Sequence, residues 1–80
     1  MKINLIAFGI AKDILQSKQM EFELTDGATI SSLKEKLFQQ YPDFSKLKSL
    51  SFAVGESYED DTYALHDRDE IVIIPPVSGG

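Results

Sequence analysis

The chain has 80 residues, enough for one domain and too few for two. Its apolar fraction of 42% is typical of a globular protein and too high for a disordered one. Thirteen acidic residues against eight basic ones give a net charge of -5, which argues against nucleic acid as a partner, because phosphates require a basic surface. The absence of cysteine excludes disulfides, thiolate metal sites and cysteine nucleophiles.

The acidic balance leaves two interpretations open. It can favour a protein partner with a basic surface, or it can serve only to keep the protein soluble. The chain has no basic-plus-apolar signal segment at its N-terminus, and its apolar runs are too short to span a bilayer. We therefore expect a cytoplasmic protein with no membrane partner.

The first quarter of the chain predicts two strands around a short helix. Residues 2–8, KINLIAF, are rich in β-branched and aromatic side chains and predict a strand that is covered on both faces over part of its length. Residues 9–16 carry apolar side chains spaced for a short helical turn. Residues 19–25, QMEFELT, alternate between apolar and polar, which is typical of a strand with one face in water.

Residues 30–41 predict the main helix. Their apolar side chains fall on one helical stripe, and Thr29 is in position to act as the N-cap. Ser32 weakens the capping signal, because a capping box has Glu or Gln at that position. Pro42 is expected to end the helix, because the residue before a proline avoids helical backbone angles.

The second half of the chain predicts two or three further strands. After a polar link, residues 50–54 alternate again, and the acidic, turn-rich residues 55–65 leave room for one short edge strand. Residues 71–74 are apolar at four consecutive positions, which predicts a strand buried on both faces.

The element order β-β-α-β-(β)-β indicates an α+β fold, a ubiquitin-like β-grasp in which one main helix covers a mixed sheet of four to five strands. The domain is expected to span residues 1–74 and to be followed by a flexible tail, residues 75–80. The first and last strands are the most apolar, so we place them side by side at the sheet centre. If they are parallel, Phe8 and Ile74 end at the same edge, where the tail leaves.

Combinations of residues that could perform catalysis are scarce. The chain has one histidine, His66, which lies in a polar turn and cannot form a metal site without several partners. The run HDRDE lacks the glycine and the spacing of a calcium-binding loop, so we predict no metal site. The carboxylates of residues 56–61 lie in an open loop, which offers no burial to separate their pKa values for acid–base work.

The closing PPVSGG is either a frayed end or the working part of the molecule. Pro75 and Pro76 fix the backbone in an extended form, so the six residues can reach roughly 20 Å from the sheet. Gly79 and Gly80 lack side chains and can enter a narrow channel. The terminal carboxylate of a glycine is also the least hindered acyl group, suited to activation and then to transfer onto sulfur or an amine.

The sequence resembles the MoaD-like sulfur carriers, the small subunits of molybdopterin synthase, over essentially its whole length. The matching pieces are KINLIAFGIAKDIL, TISSLKEKLFQQYP, AVGESYE, ALHDRDEI and, most specifically, IIPPVSGG. The resemblance implies a non-catalytic carrier that forms a heterotetramer with the large synthase subunit. An adenylating enzyme similar to ubiquitin-activating enzymes would join ATP-derived AMP to the C-terminus transiently. Sulfur would then be installed there as a thiocarboxylate and donated to cyclic pyranopterin monophosphate.

The resemblance also implies roles for individual residues. Gly80 is the acyl and thiocarboxylate carrier, and Gly79 threads the partner's pocket beside it. The inserted arm consists of Pro75, Pro76, Val77 and Ser78, and the interface with the partner includes Phe8, Ile74 and Tyr58.

Two other functions remain open: a ubiquitin-like protein modifier, and a sulfur carrier of another pathway such as thiamine synthesis, whose members usually lack the Pro-Pro-Val step. A plain interaction domain with an inert tail is a further possibility.

The sequence departs from the family pattern at two places. Arg68 stands where the family often has glycine, and it costs about 1 kcal/mol if that turn requires a positive φ. The other possibility is a turn of a type that tolerates arginine. Gly55 replaces a common asparagine, a mild change because both accept left-handed backbone.

Overall fold

The structure, a computed structural model, describes residues 1–47 and 49–76. Five strands, two α-helices and one 3₁₀ helix follow one another along this part of the chain. In chain order they are β1 (Lys2–Ala7), α1 (Gly9–Leu15), β2 (Gln19–Glu23), α2 (Ile30–Gln40), the 3₁₀ helix (Pro42–Lys46), β3 (Ser51–Val54), β4 (Ser57–Glu59) and β5 (Glu70–Ile74).

The five strands form one mixed sheet in the order β2-β1-β5-β3-β4. The central strands β1 and β5 are parallel, and all other neighbours are antiparallel. This arrangement confirms the predicted β-grasp fold and the predicted central pair. Because Ala7 lies opposite Ile73, the two central strands end at the same edge of the sheet.

The hydrophobic core lies between the sheet and the helices. α2 contributes Ile30, Leu33 and Leu37, none of which has measurable exposure. Ala11 and Leu15 anchor α1 to the same core. The sheet residues that face it are Ile3, Leu5, Ala7, Phe22, Phe52, Ile71 and Ile73.

The prediction that β5 is buried on both faces, and β1 over part of its length, is wrong. Only alternate residues of β5 are buried, and Val72 and Ile74 keep part of their surface exposed. The same is true of Ile6 in β1. The cause is that the helices of the described part of the chain pack on one side of the sheet, so the other side, called the open face below, has no cover.

The start of α2 is capped more completely than the sequence predicts. Thr29 is the N-cap, and its Oγ1 accepts a hydrogen bond of 3.4 Å from the backbone N–H of Ser32. In return the backbone N–H of Thr29 donates to Ser32 Oγ at 3.2 Å. The serine hydroxyl therefore completes the capping box in place of the expected carboxylate or amide.

The polar link after Pro42 contains a 3₁₀ helix that the sequence analysis did not predict. Phe44 within it is 1% exposed and belongs to the hydrophobic core. Its ring meets that of Tyr41 edge-on, with centroids 6.4 Å apart. Pro42 does end α2, but its fixed φ then begins this next turn.

The turn before β5 requires left-handed backbone at Arg68, whose φ is 69°. The turn is closed by a hydrogen bond from the Asp69 N–H to the His66 carbonyl, and the Arg68 N–H donates to the carbonyl of Lys2 at 2.6 Å. Of the two possibilities raised by the sequence, this is the strained one. Gly55 also adopts positive φ, at 63°, where glycine carries no penalty.

Candidate functional site

The tail leaves the domain at the end of β5. Ile74 is the last residue of that strand, and Pro75 and Pro76 follow it, both half-buried. Since Ala7 pairs with Ile73 in parallel register, Phe8 and Ile74 take the next positions on the neighbouring strands. The two residues that were predicted to share an edge therefore do so, at the root of the tail.

An apolar patch covers the part of the open face that adjoins this root. Four strands contribute one row of directly paired residues, Ile6, Val72, Ala53 and Tyr58. Residues paired in this way point to the same face of a sheet, and alternation along β5 adds Ile74 to that face. Phe8 follows β1 directly with extended backbone angles (φ -131°, ψ 161°), so it continues the alternation of β1 on the same face. The apolar patch consists of Ile6, Phe8, Ala53, Tyr58, Val72 and Ile74.

The apolar patch retains large exposed side chains. Phe8 is 52% exposed and Tyr58 is 69% exposed, two of only three large apolar side chains so exposed in residues 1–47 and 49–76. The third is Ile10, in the first turn of α1, at 46%. Contiguous exposed apolar surface of this kind marks a binding surface in many soluble proteins. Tyr58, which the sequence placed in the acidic, turn-rich segment with room for one edge strand, joins the patch because β4 pairs with β3.

The opposite end of the open face is charged. By the same alternation Lys2 and Asn4 of β1 lie there, together with Glu21 and Glu23 of β2 and Glu70 of β5. A depression of about 560 Å³ at this end is lined largely by these residues and by Asp67 and Arg68. The apolar and the charged regions thus divide the face, and the apolar one contains Ile74, the last strand residue before the tail.

The end of the acidic segment of residues 56–61 is bonded to the first turns of α2. The carbonyl of Asp61 accepts a 3.0 Å hydrogen bond from the Ser31 N–H, one of the unpaired donors in the first turn of α2. Lys34 Nζ lies 3.1 Å from Asp61 Oδ1 and ties the helix to the same segment. This part of the loop is therefore structural, a role that the sequence analysis left undefined.

The carboxyl group of Asp60 accepts two hydrogen bonds that lower its pKa. The side-chain hydroxyl of Thr62 donates to Asp60 Oδ1 at 2.6 Å, and the Thr62 N–H donates at 3.0 Å. These bonds favour the carboxylate and lower the pKa of Asp60 below its ordinary value of 3.8. A general acid needs the opposite shift, so this arrangement does not suit Asp60 to acid catalysis at neutral pH.

The described ranges contain no cluster of side chains suited to bind a metal ion. Within residues 1–47 and 49–76, no three or more His, Asp or Glu residues are grouped so as to hold a metal ion. The imidazole of His66 is 74% exposed, with Nδ1 3.7 Å from Asp69 Oδ2, in the turn where the sequence placed it. Over the same residues, no helix has the length and apolar character needed to cross a membrane.

Four of the predicted site residues, Val77, Ser78, Gly79 and Gly80, lie outside the described residues. For the other five predicted site residues the structure gives positions. Phe8, Ile74 and Tyr58 lie in the apolar patch, and Pro75 and Pro76 begin the tail beside it. The functional roles of all nine remain predictions.

Comparison with known proteins identifies relatives over the whole chain. The profile of the ThiS family matches residues 5–80. A protein of Chlamydomonas reinhardtii named molybdopterin synthase sulfur carrier subunit is 35% identical over 83 residues, covering 100% of both chains.

Two solved structures share the fold. Small archaeal modifier protein 1 of H. volcanii has a TM-score of 0.82 at 15% identity and covers 95% of this chain and 98% of its own. A chain in the complex of subunits 1 and 2 of the molybdopterin-converting factor of Helicobacter pylori has a TM-score of 0.69 at 21% identity, covering 100% of both chains. At these identities the structures bear on the fold alone, whereas the family profile and the Chlamydomonas relative span the sequence. The chain therefore belongs to the ThiS family, the MoaD/ThiS group of small carriers that its sequence resembles.

Proposed function

We propose that this chain is the sulfur carrier subunit of molybdopterin synthase and that Gly80 carries the sulfur. The observation that carries the proposal is the position of the apolar patch, which adjoins the root of the tail through Phe8 and Ile74. A partner that covers the patch is held where it can also receive the tail. The full-length relative with that name supports the proposal.

The proposed chemistry takes place on the terminal carboxylate. A carboxylate oxygen of Gly80 attacks the α-phosphorus of ATP on the activating enzyme, forming an acyl adenylate and releasing pyrophosphate. Hydrosulfide then attacks the acyl carbon and displaces AMP, so that a C–S bond replaces the C–O bond of the adenylate, and loss of the proton on sulfur leaves the thiocarboxylate. Glycine suits this step because no side chain hinders attack at the acyl carbon.

Transfer would take place on the large synthase subunit. Residues 75–78 serve as the arm that carries Gly79 and Gly80 into its active site. There the sulfur forms a bond to cyclic pyranopterin monophosphate, and water then breaks the acyl C–S bond and restores the carboxylate of Gly80. The related chain from Helicobacter pylori was solved as a complex of subunits 1 and 2, which supports a partner of this kind. The carrier itself supplies no catalytic side chain in this scheme and holds AMP only transiently.

Binding and transfer can be tested separately with the large subunit. A variant that lacks Gly79 and Gly80 should keep its thermal stability and bind through the apolar patch but yield no molybdopterin. Phe8→Ser should weaken binding by about three- to tenfold, because roughly half of a side chain worth about 1.5–3 kcal/mol on full burial is withdrawn from the interface. Lys12→Gln, at an exposed position of α1, serves as the control. Undiminished synthesis by the truncated carrier would contradict the proposed role of Gly80.

A protein-modifier function is the second candidate, favoured by the fold shared with small archaeal modifier protein 1. It predicts Gly-Gly remnants on lysines of other proteins after digestion of cell extracts. Their absence in cells whose carrier is present as thiocarboxylate would exclude this candidate. Complementation of strains blocked in molybdopterin or in thiamine synthesis would distinguish the two sulfur pathways, and an inert tail would leave both strains uncorrected.

A further inference from the structure

Ile10 is an exposed apolar side chain that the fold does not explain. It lies in the first turn of α1 and is 46% exposed. Ala11 and Leu15 already anchor α1 to the core, and Ile14, one turn after Ile10, packs against that core. Ile10 itself is absent from the core and its partly buried margin. A polar residue would serve equally well there for folding, since single exposed positions of a helix seldom affect stability.

Ile10 is joined to the apolar patch through Phe8. Phe8 is the N-cap of α1, and its carbonyl accepts hydrogen bonds from the N–H groups of Ala11 at 3.2 Å and Lys12 at 3.4 Å. These bonds fix the first turn of the helix directly against the end of β1. Phe8 also occupies the position beside Ile74, so the root of the tail, Phe8 and the turn with Ile10 follow one another at this edge.

Gly9, between Phe8 and Ile10, places no side chain on the surface. Gly9 has a φ of 55°, and a Cβ atom added to it would meet nothing within 4 Å. No side chain therefore stands between Phe8 and Ile10, and the backbone itself is open to a partner. Phe8 and Ile10 are 52% and 46% exposed, so comparable apolar area lies on both sides of the glycine.

We infer that Ile10 is a partner-contact residue, and that the surface covered by the large synthase subunit extends from the apolar patch across Phe8 onto the first turn of α1. The inference rests on the proposed function. Its basis is that Phe8 and Ile10, both about half exposed, are separated in the chain only by Gly9, at the edge of the sheet where Ile74 ends β5. The inference requires the partner to have an apolar surface beside the opening that receives the tail. Ile10 would then contribute to specificity for this partner, because a polar partner surface would lose its hydrogen bonds to water when it was buried against Ile10.

The test measures the affinity of the full chain for the large subunit by titration calorimetry. Ile10→Gln should raise Kd by about three- to tenfold, because roughly half an isoleucine side chain is withdrawn from the buried interface. Ile10→Leu should bind nearly as well as the original chain. The melting temperature of both variants should be unchanged. Lys12→Gln is the matched control, since it replaces an exposed side chain of the same helix and should leave Kd unaltered.

Each contrary outcome has a definite meaning. If Ile10→Gln binds like the original chain while Phe8→Ser binds weakly, the interface stops at the patch and the inference is wrong, whereas the proposed function stands. If Lys12→Gln raises Kd as much as Ile10→Gln does, the contact is not specifically apolar and the inference is also wrong. A marked fall in the melting temperature of Ile10→Gln would show a structural role instead. Failure of the original chain to bind the large subunit would refute the proposed function itself.

Discussion

Replacement of Arg68 by glycine should stabilise this protein. Arg68 adopts a φ of 69°, a conformation that costs a residue with a Cβ atom roughly 1–2 kcal/mol. The side chain gives little in return. It is 90% exposed, and its Nε lies 3.8 Å from Asp67 Oδ2, a surface ion pair of small value. The backbone hydrogen bond from the Arg68 N–H to Lys2 is retained by glycine.

Glycine also has a cost, because it increases the conformational freedom of the unfolded chain. That entropy term amounts to about 0.4–1 kcal/mol and opposes the relief of strain. The balance predicts that Arg68→Gly raises the free energy of unfolding by about 0.5–1 kcal/mol. For a domain of this size such a gain raises the melting temperature by about 2–8 °C.

Thermal and urea unfolding followed by circular dichroism measure the effect. Lys46→Gly is the control: its side chain is 79% exposed, and its backbone is not in the positive-φ region. The control should lose about 0.5–1 kcal/mol, as glycine does inside regular structure. Arg68→Asn should fall between the original chain and Arg68→Gly, since asparagine tolerates left-handed backbone better than arginine. A melting temperature of Arg68→Gly equal to or below that of the original chain would refute the assignment of strain to this turn.

Three further substitutions or titrations test separate parts of the structure. Thr29→Ala should lower the free energy of unfolding by about 1 kcal/mol in urea titrations, because Ser32 loses its capping acceptor; no loss would mean that the box is not formed. Phe44→Ala should cost about 3–5 kcal/mol and bring the melting temperature close to or below 37 °C, whereas a small effect would place the ring outside the core. The carboxyl carbon of Asp60 should titrate by NMR below pH 3.8, and more nearly normally in Thr62→Val. Because the pKa of Asp60 is lower in the folded state than in the unfolded state, the stabilisation from these bonds is present above the unfolded pKa and is lost as pH falls through the folded pKa. An Asp60 titration midpoint at or above pH 3.8 would contradict the two hydrogen bonds from Thr62.

The main elements and the central pair of strands were predictable from local patterns in the sequence. The alternation in residues 19–25 and the apolar stripe of α2 are strong periodic signals. The two most apolar strands do lie at the sheet centre, as their composition predicts, and the exposure of Phe8 beside Ile74 follows from their parallel register.

The exposed face of β5, the 3₁₀ helix and the capping role of Ser32 could not be predicted from local sequence patterns. Val72 and Ile74 are apolar without being covered within the described chain, so their hydrophobicity indicates a binding surface as readily as a core. Phe44 was missed because a five-residue 3₁₀ helix is too short to show a period. Ser32 caps α2 through a hydroxyl whose reach depends on the local geometry, and the usual sequence pattern for that motif does not include it.

The central claim concerns the carboxylate of Gly80, and intact-mass measurement tests it most directly. The purified chain is incubated with the activating enzyme, ATP and a sulfur donor, and its mass is compared with that of the untreated chain and of a sample without ATP. The account predicts an ATP-dependent mass increase equal to the exchange of one oxygen for one sulfur, located on the C-terminal peptide and lost when Gly80 is deleted. An unchanged mass under conditions in which the same enzyme activates a known carrier would contradict it.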